Sequence, residues 1–322
     1  MSTIAILTGG DTAERVISLQ SSAVVRTHLP VERFRCFEID INGANWSERI
    51  TGTPIDKNDF SLTLNGETIH FDAAFAALHG SPLEDGKLQG YLELMGVPYT
   101  CCGGFVSALT MNKHRTKQYL TPLGVPMARS ALLRQGEQVD QAALLNLGLP
   151  LFVKPNTQGS SFGVTKVKVP DALQAAIEEA WRFDPEVVAE SYLPGREFSN
   201  GAFRHKGQVV VLPVTEIIPE GEFFDYAAKY EGKSSEVTPA ALTPEQTDAC
   251  QARSRMLYNA LGCQGVVRFD YILSGETFYF LEVNTIPGLS SASLVPQQAR
   301  AEGWTLDEFF TALLEEILQP VV

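Results

Sequence analysis

Residues 265–296, GVVRFDYILSGETFYFLEVNTIPGLSSASLVP, hold acidic and basic groups in alternating register inside an apolar, β-branched and aromatic run. Arg268 and Asp270 are two apart, as are Glu282 and Asn284, and side chains two apart on a strand share a face. With a turn at Ser274, Gly275 and Glu276, one hairpin presents a guanidinium, two carboxylates and an amide together, and Val267, Phe269, Leu281 and Val283 are expected on its buried face. Two carboxylates and an amide oxygen make a hard-oxygen set suited to Mg²⁺, which keeps water and substrate phosphate in its remaining positions. The plainer alternative is a surface ladder of ion pairs. The tail of the stretch argues against it, because Pro287-Gly288 turns towards a helix start at Ser293, where free amides and hydroxyls can hold an anion.

Other candidates are weaker singly. Gly9-Gly10-Asp11 precedes Glu14 and Ser18, which share one helix face, but the G-x-G-x-x-G spacing of a dinucleotide site is absent. His79 closes an apolar run, at a strand end where ligands collect or as a satisfied structural histidine. Lys154 stands at the entrance of NTQGSSFG, a glycine and hydroxyl loop that can close over a triphosphate or be an ordinary long hairpin, and Lys113 lies in a helical stretch before it. It is not a Walker loop. Glu190 and Glu197 are carboxylates within reach of an adenine and a ribose.

The elements that must position these residues read as follows. Residues 3–8 form a strand, the glycine turn leads into a helix carrying Val16, Ile17, Leu19, Val24 and Val25, and 34–40 form a second strand. An excursion punctuated by Gly and Pro follows over 42–57; then come a strand over 73–78, a helix over 87–95 and a break at 96–98. Lys113 falls inside a helix over 111–120, Lys154 ends a strand over 149–154, and 163–169, 171–183 and 187–190 read as strand, helix and strand.

A chain of 322 residues, 44% hydrophobic, can bury large cores and implies two or three domains. The net charge of −13 argues against nucleic acid, and means that an anionic substrate must be held by locally placed Lys, Arg and metal. Five cysteines without a CxxC pair read as reduced thiols, which speaks against zinc. No run of ~18 apolar residues and no basic leader is seen, so a cytoplasmic protein without membrane attachment is expected.

Together, GGDTAERVISL (9–19), LHGSPLEDGKLQGYLELMGVPYT (78–100), SALTMNKHRTK (107–117), VKPNTQGSSFGV (153–164), ESYLPGREF (190–198), FDYAAKYEGKSSEVTPA (224–240) and residues 268–296 resemble the D-alanine:D-alanine ligases of the ATP-grasp superfamily, in order and with family-like spacing. The resemblance implies an α/β chain, α+β in its C-terminal two-thirds. An N-terminal Rossmann-like domain over 1–96 would precede a central domain over 97–190 with a phosphate lid and a C-terminal domain over 191–322 with a closing loop over 223–240. It implies ligation of two D-alanines through an acyl phosphate for peptidoglycan synthesis, with ATP as co-substrate, Mg²⁺ or Mn²⁺ at two ions per site, and a homodimer.

Carried residue by residue, the resemblance implies Asp270, Glu282 and Asn284 on the metal and Lys113, Lys154 and Lys229 on the phosphates. Glu190, the main chain at Leu193, and Glu197 would hold adenine and ribose. Glu14, with His79 nearby, would meet the first D-alanine, and Ser293 with the Leu294 amide the second. Glu14, Ser160 and Tyr230 match a hydrogen-bonded trio, and Arg268 with the Gly288 amide an oxyanion-stabilising pair. Two departures are Val16, where the family has Glu, and Ser191, where it has Lys. A depsipeptide ligase using D-lactate and a non-catalytic nucleotide sensor are the rivals; the sensor predicts a lost ligand, and none is lost.

Overall fold

The opening apolar run becomes β1 (Ser2–Gly9), whose Ile4, Ala5, Ile6 and Leu7 are fully enclosed on both faces, as a central parallel strand requires. The computed structural model describes residues 1–12, 14–159, 161–219 and 234–318. Ser160, Lys229 and Tyr230, and residues 223–233 of the expected closing loop, lie outside the described residues.

From β1 the helix α1 (Arg15–His28) crosses to β2 (Phe34–Asn42), parallel to β1, and β3 (Asn45–Glu48) adds an antiparallel edge. The excursion over 42–57 holds more order than expected. It contains β3 and β4 (Ile55–Asp56), and β4 joins β5 (Ser61–Leu64) and β6 (Glu67–His70) in a separate three-stranded sheet. The chain then reaches β7 (Ala73–Ala76), parallel to β1 on its other side. Strand order thus reverses at β1, which opens a ligand crevice beyond the ends of β1 and β7.

The helix α2 (Lys87–Met95) matches its expected span and ends at Gly96, in the left-handed conformation. The helix expected over 111–120 is α4 (Lys113–Leu120), which starts two residues later, and a separate helix, α3 (Gly104–Met111), precedes it. Asn112 lies between them, its side chain capping α4 by accepting from the Arg115 amide at 2.9 Å. Lys113 therefore opens a helix instead of lying within one.

Two antiparallel sheets follow. The first, ordered β10-β9-β11-β8, comprises β8 (Ser130–Arg134), β9 (Leu151–Pro155), β10 (Thr165–Val167) and β11 (Glu186–Ser191), with α5 (Gln141–Leu145) and α6 (Leu173–Trp181) between strands. The second, ordered β14-β13-β12-β15-β16, comprises β12 (Arg196–His205), β13 (Gln208–Pro219), β14 (Ser234–Val237), β15 (Val267–Ser274) and β16 (Thr277–Asn284). The helix α7 (Pro244–Leu261), opened by a Thr243–Gln246 capping box, covers this sheet, and α8 (Leu294–Ala301) and α9 (Leu306–Leu318) end the described chain. No helix among the described residues is long and apolar enough to cross a membrane.

The β15–β16 hairpin turns where expected but carries a bulge. Asp270 faces Glu282 while Tyr271 faces Phe280, so Leu281 is an extra residue in β16. Val267, Phe269 and Val283 are buried as expected, whereas Leu281 turns to the cleft described below.

The first antiparallel sheet and α6 have their own core, which includes Val153, Ile177 and Val187. The N-terminal and five-stranded sheets share another, filled by α9: Phe310 meets Phe75 at 5.7 Å between ring centroids, and Phe309 meets Phe203 at 5.1 Å. Phe309→Ala is expected to destabilise the protein by about 3–5 kcal/mol, and Val31→Ala, on an exposed turn, by less than about 0.5 kcal/mol. Thermal denaturation of both variants checks this.

Candidate active site

The two antiparallel sheets enclose a cavity of about 330 Å³, with Phe152 on one wall and Ile272 and Leu281 on the other. Leu193 and Glu197 line it, together with Lys113, Lys154 and Glu190. Lys113 donates from Nζ to the Gln158 carbonyl at 2.6 Å and from its amide to Asn156 O at 3.0 Å, so the start of α4 is seated on the glycine loop.

Glu190, expected near adenine and ribose, lines the cavity and also pairs with two lysines. Its Oε2 lies 2.6 Å from Lys154 Nζ and its Oε1 2.5 Å from the Nζ of Lys117, which also donates to Ala128 O at 3.0 Å. Burial alone would push the Glu190 carboxyl up, but Lys154 and Lys117 together outweigh it and hold it down at about 2. Burial moves Lys117 the other way for an ammonium, downward, against the attraction of Glu190. Glu190 is thus a buried counter-ion that aims Lys154 into the cavity. Lys117 has no signal in the sequence beyond lying one helical turn from Lys113.

On the hairpin, Asp270 pairs with Glu282 and Arg268 with Asn284 across the strands. Asp270 Oδ1 accepts from Ser199 Oγ at 2.7 Å and Arg268 Nε at 2.9 Å, and Oδ2 from Arg268 at 2.8 Å and Asn284 Nδ2 at 2.9 Å. Two carboxylates directly opposed on a sheet repel, and with the Asn284 carbonyl they form an oxygen set that fits a hard divalent cation. Among the described residues no cluster of three His, Cys, Asp or Glu suggests a different metal centre.

A second cavity, of about 520 Å³, lies at the crevice of the N-terminal sheet, and Lys113, Gln158, Gly159 and Glu282 line both. Glu14, His79, Arg268, Gly288, Ser293 and Leu294 border it. The Glu14 carboxylate approaches the glycine loop: a Cβ on Gly159 would sit 3.6 Å from its oxygens. Gly288 packs so closely that a Cβ there would lie 2.7 Å from Ser293 Oγ. Ser293 caps α8 by position, its hydroxyl 2.8 Å from that of Ser290, and leaves the Leu294 amide at the helix start.

His79 is buried and neutral. Burial lowers its pKa, with Glu14 acting in the opposite direction. Its Nδ1–H donates to Ile286 O at 2.9 Å, so Nε2 accepts from Ser21 Oγ at 2.9 Å, and Ser21 Oγ in turn accepts from the Leu289 amide at 3.2 Å. His79 therefore ties the crevice to the loop carrying Gly288. Its own amide donates to Ser18 Oγ at 2.9 Å. Against expectation, the buried face of α1 is Ser18, Ser21, Ser22 and Val25, while Val16 is 60% exposed; three serines at helical spacing were the missed signal. Glu84, also missed, borders this cavity with its carboxyl pushed well above the usual range by burial and then by Glu14.

Two family models match, "D-ala D-ala ligase N-terminus" over residues 3–102 and "D-ala D-ala ligase C-terminus" over 120–317. The chain is 42% identical over 318 residues to a D-alanine–D-alanine ligase of Phocaeicola vulgatus, covering 97% of this chain and 98% of that one. Among solved structures it is similar to D-alanyl-alanine synthetase A of Vibrio cholerae (TM-score 0.89, 28% identity, 98% of each chain). It is also similar to a D-alanine–D-alanine ligase of Bacillus anthracis complexed with ATP (TM-score 0.80, 28% identity, 99% of this chain and 97% of that one).

The buried triad yields an expected pH response. Because Glu190 moves from an ordinary 4.5 to about 2 on folding, its contribution to stability is present above about pH 4.5 and lost as pH falls towards 2. Glu190→Gln, which leaves two buried ammonium groups side by side, is expected to cost about 3–5 kcal/mol and to weaken nucleotide binding. Melting curves across pH and calorimetric titration with ATP measure the two effects.

Proposed function

We propose, from the premise that the chain belongs to the D-alanine–D-alanine ligase family, a division of labour between its two cavities. As a member of that family it is an ATP-dependent ligase with the ATP-grasp fold, joining two D-alanines to D-alanyl-D-alanine through a D-alanyl phosphate for peptidoglycan synthesis. The observation that carries the division is the common wall: Lys113 and Glu282 border both cavities, so a carboxylate in one meets a γ-phosphate in the other.

In this reading ATP occupies the cavity between the antiparallel sheets, its phosphates on Lys113, Lys154 and Lys229 and its adenine and ribose near Leu193 and Glu197. Glu190 meets the adenine with them and fixes Lys154 as well. Asp270, Glu282 and Asn284 would hold Mg²⁺, two ions per site with Mn²⁺ as a substitute, and the bound metal supplies positive charge to the triphosphate and the transferring phosphoryl group. The first D-alanine sets its ammonium against Glu14 beside His79 and turns its carboxylate to the common wall, where phosphorylation converts a poor acylating agent into an acyl phosphate. Ser293 and the Leu294 amide take the carboxylate of the second. Arg268 and the Gly288 amide stabilise the tetrahedral oxyanion, a contact worth about 2.7–4 kcal/mol per donor.

The same reading assigns Glu14, Ser160 and Tyr230 to one hydrogen-bonded trio and divides the chain at 96 and 190. It places a homodimer in the cytoplasm, apart from nucleic acid and membrane.

Phosphate release from ATP with D-alanine, L-alanine and D-lactate in turn tests the proposal: D-alanine alone is expected to support it, and D-alanyl-D-lactate among the products of a mixture of D-alanine and D-lactate at neutral pH would favour depsipeptide synthesis instead. Asp270→Asn and Glu282→Gln are each expected to lower phosphate release roughly a hundredfold or more with melting temperatures retained. Near-normal turnover in both would remove the metal assignment. Tyr230→Phe should slow dipeptide synthesis by about the 0.5–1.5 kcal/mol of one hydrogen bond and yield measurable D-alanyl-D-lactate. Product analysis showing an unchanged acceptor preference would remove Tyr230 from acceptor choice.

A further inference from the structure

Both amino acids enter as zwitterions, yet the second must lose a proton before its nitrogen can attack. The cavity of about 520 Å³ is bordered by the carboxylates of Glu14, Glu84, Glu236 and Glu282. Glu282 belongs to the oxygen set at the common wall, and Glu14 and Glu84 stand with His79 on the N-terminal side. Glu236 comes from the opposite side and has had no role so far.

Its position is built. Glu236 lies in β14 opposite Ile217 of β13, and alternation turns it inward while Val237 is 41% exposed. Its Oε2 accepts from Gln297 Nε2 at 2.8 Å, and the same amide nitrogen donates to Ala292 O at 2.7 Å. Gln297 is one turn into α8 from Ser293, so the carboxylate is anchored to the turn that would hold the acceptor's carboxylate.

We propose that Glu236 is the proton acceptor for the second D-alanine, holding its ammonium and taking one proton from it; this rests on the acceptor subsite at Ser293 and Leu294. The N–H bond breaks as an O–H bond forms on Glu236, and the freed nitrogen pair attacks the acyl carbon. As the C–N bond forms, the carbonyl π pair moves onto oxygen to give the tetrahedral oxyanion, and its return breaks the C–O bond to phosphate, which leaves with that electron pair. A second proton leaves nitrogen with the phosphate, and Glu236 returns its own to solvent. Burial makes Glu236 a stronger base than an ordinary Glu, against the opposing effects of Gln297 and Arg268. The other ionisable groups of the cavity are Arg268 from β15, Glu282 from β16, Lys113 from α4, Glu14 ahead of α1, and His79 and Glu84 after β7. The assignment also gives a physical reason to prefer an amine, because the hydroxyl of D-lactate brings no positive charge for the carboxylate to hold.

The test uses the full chain with Glu236→Gln, which keeps an acceptor oxygen for Gln297, and Glu236→Asp, which keeps a base. Dipeptide synthesis by Glu236→Gln is expected to fall roughly 10²–10⁴-fold near neutral pH. The deficit should shrink as pH rises and the free amine grows, and Glu236→Asp should lose less. Hydroxylamine, already neutral near pH 7, needs no base, so hydroxamate formation from the acyl phosphate is expected to stay within about twofold of wild type in Glu236→Gln. Equal losses of hydroxamate and dipeptide, or a dipeptide deficit independent of pH, would overturn the role of Glu236. An acceptor KM unchanged in Ser293→Ala would overturn the subsite beneath it, and the proposal with it.

Discussion

Asp270 and Glu282 oppose one another directly across a pair of strands, and like charges so placed repel. Taking each from water costs several kcal/mol. Much of the surrounding structure answers this constraint. Ser199, Arg268 and Asn284 satisfy both oxygens of Asp270, yet the hairpin sets one guanidinium, Arg268, against three acids, Asp270, Glu276 and Glu282. A chain with a net charge of −13 can offer a place to an anion only where positive charge is concentrated locally. Lys154 and Lys117 converge on Glu190, and Lys113 is fixed at a helix start.

Packing determines which walls of the site move together. The N-terminal and five-stranded sheets share the core filled by Phe309 and Phe310 and are joined again through His79, Ser21 and the loop at Ile286 and Leu289. The second cavity, whose lining is drawn mainly from these two bodies, is therefore shaped before substrate arrives. The sheet of β8 to β11 has a core of its own, and bodies joined without a common core are the ones expected to shift relative to one another. The first cavity lies where a body of the first kind meets one of the second, so a shift of that kind would reshape it far more than the second cavity.

Much of this was legible in the sequence because it depended on local rules. The alternation over 267–284 placed the hairpin floor, Gly96 ended α2, and the apolar run before Gly9 announced a buried strand. What was not legible depended on partners distant in sequence. Ser18 and Ser21 are buried because His79 and Leu289 need their hydroxyls, a demand arising 61 and 268 residues away. Glu190 holds two lysines as well as lining the cavity because a carboxylate buried between two ammonium groups is stabilised by pairing with both, and one of those partners, Lys117, lies 73 residues away. The start of α4 was available in principle, since Asn112 is a preferred N-cap residue, but the expected helix began one residue before it, at Met111.

The bulge in β16 amounts to a change of parity. Before it, even-numbered residues such as Phe278 and Phe280 face the core; after it, the odd-numbered Val283 does, and Leu281 and Glu282 fall consecutively on the cleft side. One strand can therefore offer an apolar side chain and an acid next to each other, which strict alternation forbids. It follows that the extra residue serves the cleft and not the core: losing Leu281 would restore strict alternation with Phe280 and Val283 still inward and Glu282 still on the cleft side, so the change would fall on the apolar wall of the cleft while the acid kept its place.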